Sequence, residues 1–134
     1  MTSNSKLQLE QILNFCESKL KLISNDSKFN GFIVFLIHLL IQLVSFYFLI
    51  LHPIDFMFYF IVAVWTLILI SNFYFHGCIL TKLERKLWNT KEWYGPYFLY
   101  CEYFNLSTNF LDNLFICKII LIATLVFLRI LFKY

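Results

Sequence analysis

The sequence predicts an all-α integral membrane protein with a two-span helical hairpin, a third transmembrane helix and an N-terminal amphipathic helix. Two uncharged apolar runs carry this prediction, residues 31–51 with 21 residues and residues 56–75 with 20. Crossing about 30 Å of hydrocarbon takes roughly 20 helical residues, so each run is long enough to span. Only residues 52–55 separate the two runs, which is enough chain for a tight turn.

The composition supports the same class. Hydrophobic residues make up 60% of the 134 residues and charged residues 14%, whereas soluble domains have about 45–50% and 25%. A soluble domain of this length has too little interior to cover so much apolar surface, so we expect lipid to cover it. The net charge of +3 is spread along the chain, a pattern that does not favour nucleic-acid binding.

Residues 1–30 are predicted to form an amphipathic helix. Apolar side chains recur there at helical spacing, at Leu9, Ile12, Leu13, Cys16, Leu20 and Ile23. The polar cluster 24–27 is expected to end the helix. We expect this helix to dock on the membrane surface or on a partner. Packing within the protein's own fold is the alternative.

The transmembrane hairpin, residues 31–76, carries one polar or small-residue stripe on each helix. Small residues and side-chain hydrogen bonds pair spanning helices, because lipid leaves little hydrophobic drive between them. We therefore predict that the two stripes face each other, with a neutral His38 imidazole bonded to Thr66 or Tyr59. The stripes are His38, Gln42 and Ser45 on the first helix, and Tyr59, Ala63 and Thr66 on the second.

Residues 77–112 are predicted to be an aromatic interfacial segment with a short capped helix. Thr81 and Glu84 have the spacing of a capping box, which predicts a helix that ends near Trp88. Trp and Tyr favour the membrane boundary because their rings are partly apolar and partly polar. The predicted interfacial aromatic residues are Trp88, Trp93, Tyr94, Tyr97 and Tyr100.

Residues 78–84 resemble the C-x-L-T-x-x-E signature that follows paired spanning helices in some small uncharacterised membrane protein families. The matching positions are Cys78, Leu80, Thr81 and Glu84, and Ile79 stands where those families commonly have proline. The resemblance implies a hairpin followed by a capped helix, and it implies no activity.

Residues 113–134 are predicted to form the third transmembrane helix, with a surface helix as the alternative. Lys118 and Arg129 bracket ten uncharged residues, and both side chains are expected to reach the membrane boundaries. Lys and Arg residues are concentrated in segments 1–30 and 77–112. The positive-inside tendency therefore predicts a cytoplasmic N-terminus and a C-terminus on the opposite side.

The histidines and cysteines form no recognisable catalytic or metal pattern. His38, His52 and His76 are expected at different depths, which disfavours a haem held by two histidines. His76 and Cys78 lack further ligands at zinc spacing, and His76 has no evident orienting carboxylate beyond Glu84 for cysteine catalysis. We therefore expect no enzyme activity, no metal and no cofactor.

The expected function is structural: a multi-pass membrane protein that serves as a component or accessory subunit of a membrane assembly, in a viral or organellar membrane. The expected partners are the lipid bilayer and other membrane protein subunits, and not nucleic acid. The alternative is a haem-, quinone- or lipid-handling anchor subunit whose site forms near His38.

Overall fold

The computed structural model describes residues 3–90, 103–104 and 108–133, without the side chains of 108–118. The long elements within these ranges are all helices, which confirms the predicted all-α class. They are α1 (Ser3–Leu20), α2 (Ser27–Phe46) with a π-helical extension (Tyr47–Leu51), α3 (Phe56–Tyr74), α4 (Ile79–Trp88) and α5 (Thr108–Phe132).

Within the part of the chain that the structure describes, two helical stretches are long and apolar enough to cross a membrane. They are Ser27–Leu51, with 25 residues, and Phe56–Tyr74, with 19, which match the predicted hairpin helices. Only 22% and 6% of their most apolar windows are buried within the protein, whereas a core helix of a soluble protein would be mostly buried. In α5, the part with described side chains is a shorter apolar helix, Ile119–Phe132.

The first long apolar helix begins at Ser27, before the predicted start at residue 31. Asp26 explains the earlier start, because its carboxylate accepts hydrogen bonds from the backbone N–H groups of Lys28 at 2.9 Å and Phe29 at 3.5 Å. An acidic side chain in this position satisfies N–H groups that have no partner within the helix. A helix cap therefore extends α2 through polar residues that hydropathy assigns to the preceding segment.

The chain forms two compact units, Met1–Ile41 with Thr66–Pro96 and Gln42–Trp65 with Tyr97–Tyr134. In the first unit, Val34 of α2 packs with Leu83 and Leu87 of α4. Three α1 side chains cover this cluster: Leu13, Cys16 and Leu20. The second unit has its own cluster of Leu49, Phe58 and Ile122.

The apolar face of α1 packs mainly on α4, which is the alternative to the expected docking on a membrane or a partner. Two polar contacts hold α1 in place, one to α4 and one to the end of α3. Lys86 of α4 pairs with Glu17 at 2.7 Å, and the Tyr74 hydroxyl donates to the Gln8 side chain at 2.9 Å. The expected stripe is only partly used, since Ile23 is exposed and lies beyond the end of α1 at Leu20.

Candidate functional site

Three ionisable side chains meet in the first unit, where α4 packs against α2. The Nδ1 atom of His38 lies 2.9 Å from a carboxylate oxygen of Glu84, and its Nε2 atom lies 3.8 Å from the sulfur of Cys78. The two ring nitrogens of one histidine thus contact an acid on one side and a thiol on the other. We call Cys78, His38 and Glu84 the boundary triad.

Glu84 is the most deeply placed member of the boundary triad. Its side chain is fully buried, and that of His38 is 7% exposed. Glu84 lies on the same face of α4 as the buried Leu83 and Leu87. A buried carboxylate is costly unless it is paired, so the His38 contact accounts for an acidic residue in this apolar face.

Cys78 is held by a turn that demands unusual backbone angles. The chain leaves α3 through His76, with φ +52°, and Gly77, with φ +127°. The second angle is one that glycine adopts and other residues rarely do. Cys78 follows in an extended conformation as the N-cap of α4. The turn therefore delivers a half-buried thiol to the N-terminal end of a ten-residue helix.

The surroundings of Cys78 favour the thiolate form. Burial raises the pKa of the Cys78 thiol. The His38 ring lowers this pKa, and the backbone amides of Thr81 and Leu80 lower it further. The net pKa of Cys78 lies below the ordinary thiol value. Thiolates are stabilised in this way at helix N-termini and beside histidine, where reactive cysteines are found.

A basic side chain, Lys82, lies on the first turn of α4 and interacts with the charge of Cys78. Lys82 donates a hydrogen bond from Nζ to the carbonyl oxygen of Phe75, at the end of α3. Burial and the Arg85 charge lower the pKa of Lys82, whereas a negative charge on Cys78 acts in the opposite direction. The thiol therefore faces a locally positive environment.

The arrangement has the parts of an activated nucleophile: a thiol, a base within reach, and a carboxylate that orients the base. It is less suited to a metal. Both nitrogens of His38 already contact protein groups, and no cluster of three potential metal ligands occurs in the described part of the chain. A purely structural reading also exists, in which the buried Glu84–His38 pair fastens α4 to α2.

The residues of the two predicted pairing stripes differ in how exposed they are. His38 and Ser45 are buried, whereas Tyr59, Ala63 and Thr66 lie on an exposed part of the α3 surface. Glu84 and Cys78 are the side chains found at the two nitrogens of His38, and neither was the partner expected from the sequence. That the two stripes face each other stays a prediction.

Among the predicted interfacial residues, Trp88 and Arg129 have described side chains. The Trp88 indole N–H donates to the carbonyl oxygen of Lys28 at 3.0 Å. In the second unit, the Arg129 guanidinium donates to the carbonyl oxygen of Leu49 at 2.6 Å and to that of His52. Trp93, Tyr94, Tyr97 and Tyr100, and the side chain of Lys118, lie outside the described residues.

Sequence reasoning named Glu84 as part of a capping box and as the one carboxylate near His76 and Cys78, but it missed the pairing of Glu84 with His38. The predicted end of α4 at Trp88 is confirmed, but α4 begins at Ile79, so Thr81 is already inside the helix and is not its cap. A signal was available. Leu80, Leu83, Glu84 and Leu87 have the spacing of one buried helix face, and a carboxylate on such a face requires a partner.

No protein-family profile, curated protein or solved structure matches this chain. The case for the boundary triad as a site is therefore its geometry.

Proposed function

We propose that this chain is a multi-pass integral membrane protein that serves as an accessory subunit of a membrane assembly, with the α2–α3 hairpin crossing the bilayer. The observation that carries the proposal is the exposure of large apolar side chains along both hairpin helices. Examples are Leu36, Leu40 and Leu43 on the first helix and Phe60, Leu67 and Ile70 on the second.

Water is a poor solvent for such a surface. A large apolar side chain is roughly 1.5–3 kcal/mol less stable exposed to water than fully buried. Soluble monomers rarely expose contiguous apolar patches larger than a few hundred square ångströms, about 300–600 Å² at most. Acyl chains cover this surface at no such cost. The length of each helix, 25 and 19 residues, suits the hydrocarbon thickness.

We include α5 in the proposal as the third span. Its Arg129 satisfies carbonyl oxygens at the end of the π-helical extension and beside the 52–55 turn. These carbonyl groups lack partners within the helix and would be costly in hydrocarbon. An arginine near the end of an apolar helix can hold such a position at the far membrane boundary. The N-terminus then lies on the cytoplasmic side, as the distribution of basic residues predicts.

The accessory role is supported by the exposed surface of α3. Tyr59, which carries a hydroxyl group, and Ala63, which is small, are both exposed on this otherwise apolar helix. Small and hydroxyl-bearing residues let spanning helices approach closely and hydrogen-bond across the interface. Where α2 does not cover this face, a spanning helix of another subunit fits it better than lipid alone does.

Membrane insertion is tested by alkaline carbonate extraction of membranes that contain the full chain. We expect the protein to stay in the pellet and to leave it only with detergent. Release into the alkaline supernatant would refute the proposal. Topology is tested with a membrane-impermeant maleimide and single cysteines placed at residues 4 and 54, which should be labelled from opposite sides.

The accessory role is tested by crosslinking in native membranes, followed by purification in mild detergent and mass measurement. We expect a reproducible complex with another membrane protein. Weakening by a bulky Ala63→Leu substitution, but not by Leu67→Ile as the matched control on the same helix, would support the role. A monomeric mass without co-purifying protein would contradict it.

A haem or quinone site near His38 remains the competing proposal. A haem iron would have to displace Cys78 or Glu84 from the His38 ring, because both ring nitrogens contact them. We therefore expect no Soret absorption from the purified protein supplied with haemin. A Soret band that His38→Ala abolishes would favour the competing proposal.

A further inference from the structure

We propose that Cys78 is a nucleophile for acyl transfer, which accepts a fatty acyl group from an ester or thioester whose hydrocarbon chain lies in the bilayer. This inference rests on the membrane insertion proposed above. It departs from the expectation that the chain has no catalytic activity, and the departure comes from the boundary triad.

The first argument is the order of the three groups. An ionised Glu84 is only a hydrogen-bond acceptor, so the Nδ1 atom of His38, at 2.9 Å, must carry a proton. A neutral imidazole then has its lone pair on Nε2, and that atom lies 3.8 Å from the Cys78 sulfur. Catalytic contacts are often this loose before substrate binds. The contact between Nδ1 and Glu84 thus leaves Nε2 facing the thiol, as a base that accepts the thiol proton requires.

The second argument is the place of the sulfur at the start of α4. The first N–H groups of a helix have no partner within it, and they carry partial positive charge. Such groups stabilise the oxyanion that forms when a thiolate attacks an acyl carbonyl. The turn at His76 and Gly77 sets Cys78 beside them in extended conformation. Fastening α4 to α2 requires only the Glu84–His38 bond and does not require a thiol at this point.

The third argument concerns the class of substrate. Cys78 comes four residues after the end of α3 at Tyr74, where the second apolar helix leaves the predicted hydrocarbon region. Lys82 and Arg85 lie on the following turns of α4. A donor with its chain in the bilayer and its ester group at the boundary brings a carbonyl carbon to the depth of the thiol. Lys82, whose charge interacts with that of Cys78, offers a cationic partner for a phosphate on the donor, which favours a phosphate-bearing acyl donor.

The reaction balances without an added oxidant or reductant. The Cys78 thiol gives its proton to Nε2 of His38, and the sulfur forms a bond to the carbonyl carbon of the donor. The bond from that carbon to the alcohol oxygen or thiol sulfur of the donor breaks, and the leaving group takes the proton from Nε2. Water that His38 deprotonates then releases the fatty acid and restores the thiol.

The experiment uses the full chain in phosphatidylcholine vesicles, with Cys16, Cys101 and Cys117 replaced by alanine so that Cys78 is the one thiol. Palmitoyl-CoA is added, and intact mass spectrometry follows a palmitoyl adduct that neutral hydroxylamine removes. A second arm omits palmitoyl-CoA, so that an adduct there identifies the phospholipid ester as the donor. A matched protein that keeps Cys16 as its one thiol measures uncatalysed acylation of a half-buried cysteine.

We expect Cys78 to be acylated at least about 100-fold faster than Cys16, because a positioned general base contributes typically about 10²–10⁴-fold. His38→Gln should remove most of this difference, while His52→Gln, in the hairpin turn, should leave it unchanged. Equal rates for the Cys78-only and Cys16-only proteins, or an undiminished rate in a folded His38→Gln protein, would overturn the inference.

Two further measurements keep the result interpretable. Carbonate extraction of the same vesicles separates a failure of membrane insertion from a failure of acyl transfer. Should His38→Gln fail to fold, the pH profile of iodoacetamide alkylation of Cys78 in the otherwise unchanged protein takes its place. A midpoint below the ordinary thiol pKa supports the inference, and a midpoint at or above it counts against the inference.

Discussion

Replacement of Glu84 by alanine tests the boundary triad as a structural element. The substitution removes a carboxylate that is fully buried and that contacts Nδ1 of His38 at 2.9 Å. A hydrogen bond to a charged group contributes roughly 1.5–3 kcal/mol, and a buried group left without its partner costs roughly 1–3 kcal/mol. We therefore expect Glu84→Ala to destabilise the protein by about 3–5 kcal/mol, the range measured when one partner of a buried pair is removed.

The assay is reversible unfolding in mixed dodecylmaltoside and SDS micelles, followed by far-ultraviolet circular dichroism. Glu84→Gln is the matched control, because the amide keeps an oxygen acceptor for Nδ1 and nearly the same volume. We expect Glu84→Gln to cost about 1 kcal/mol, clearly less than alanine. A third variant joins His38→Leu to Glu84→Leu, and it should lie close to the wild type because both buried polar groups are removed together.

The reasoning would be refuted in two ways. A loss below about 1 kcal/mol in Glu84→Ala would mean that the carboxylate is not a buried partner of His38. Equal losses of stability in the alanine variant and in the double leucine variant would mean that the loss comes from changed packing of α4. It would then not come from a His38 imidazole left without its hydrogen-bond partner.

Three further predictions concern other contacts. Gly31→Ala places a methyl group against the Trp88 indole ring with no room between them, so we expect a loss of about 1–3 kcal/mol in the same assay, and little further loss when Trp88 is already alanine. Arg129→Ala leaves the carbonyl groups of Leu49 and His52 without their donor, and we expect the free energy of unfolding to fall by about 2–4 kcal/mol. Arg129→Lys should restore only part of this loss, because one ammonium group cannot reproduce the two donors of the guanidinium. Hydrogen bonds from Lys86 and then Lys21 hold the pKa of Glu17 below its ordinary value of 4.5, so the ionised carboxylate stabilises the fold above that value and loses its effect as the pH falls through the lowered pKa. The difference in stability between wild type and Glu17→Gln, at most about 1 kcal/mol, should therefore shrink as the pH falls below 4.5, and a difference that does not depend on pH would contradict the assignment.

The hairpin could be predicted because its signal is local and strong. A run of about 20 uncharged apolar residues has few alternatives to a long helix, since hydrocarbon leaves no other partner for backbone groups. The start of α2 was less predictable. Hydropathy locates where the polar residues stop, after Asn30, whereas the helix begins where Asp26 caps it, and Lys28 falls within the first turn.

The role of α1 could not be decided from the sequence. An amphipathic stripe such as Leu13, Cys16 and Leu20 records only that one face leaves water. A bilayer, a partner and α4 all satisfy that condition equally well. In the structure, Glu17 pairs with Lys86 of α4, but the two residues are distant in sequence, and the residues around neither of them predict the contact.

The boundary triad shows the same limit in its sharpest form. Cys78 and Glu84 lie in one short segment, but His38 is 46 positions from Glu84, and only the packing of α4 against α2 joins them. The capping-box spacing gave Glu84 a sufficient local explanation, and that explanation hid the unusual point, which is a carboxylate on the leucine face of α4. An acid in such a position cannot be satisfied by its own helix, because that face turns away from water and from the helix ends. Its partner must therefore be a basic or donor group on the neighbouring helix. In the 21-residue run 31–51, His38 is the one basic side chain. The thiol on the other side of the same ring then needs an explanation beyond charge satisfaction, and the acyl transfer that we propose supplies one.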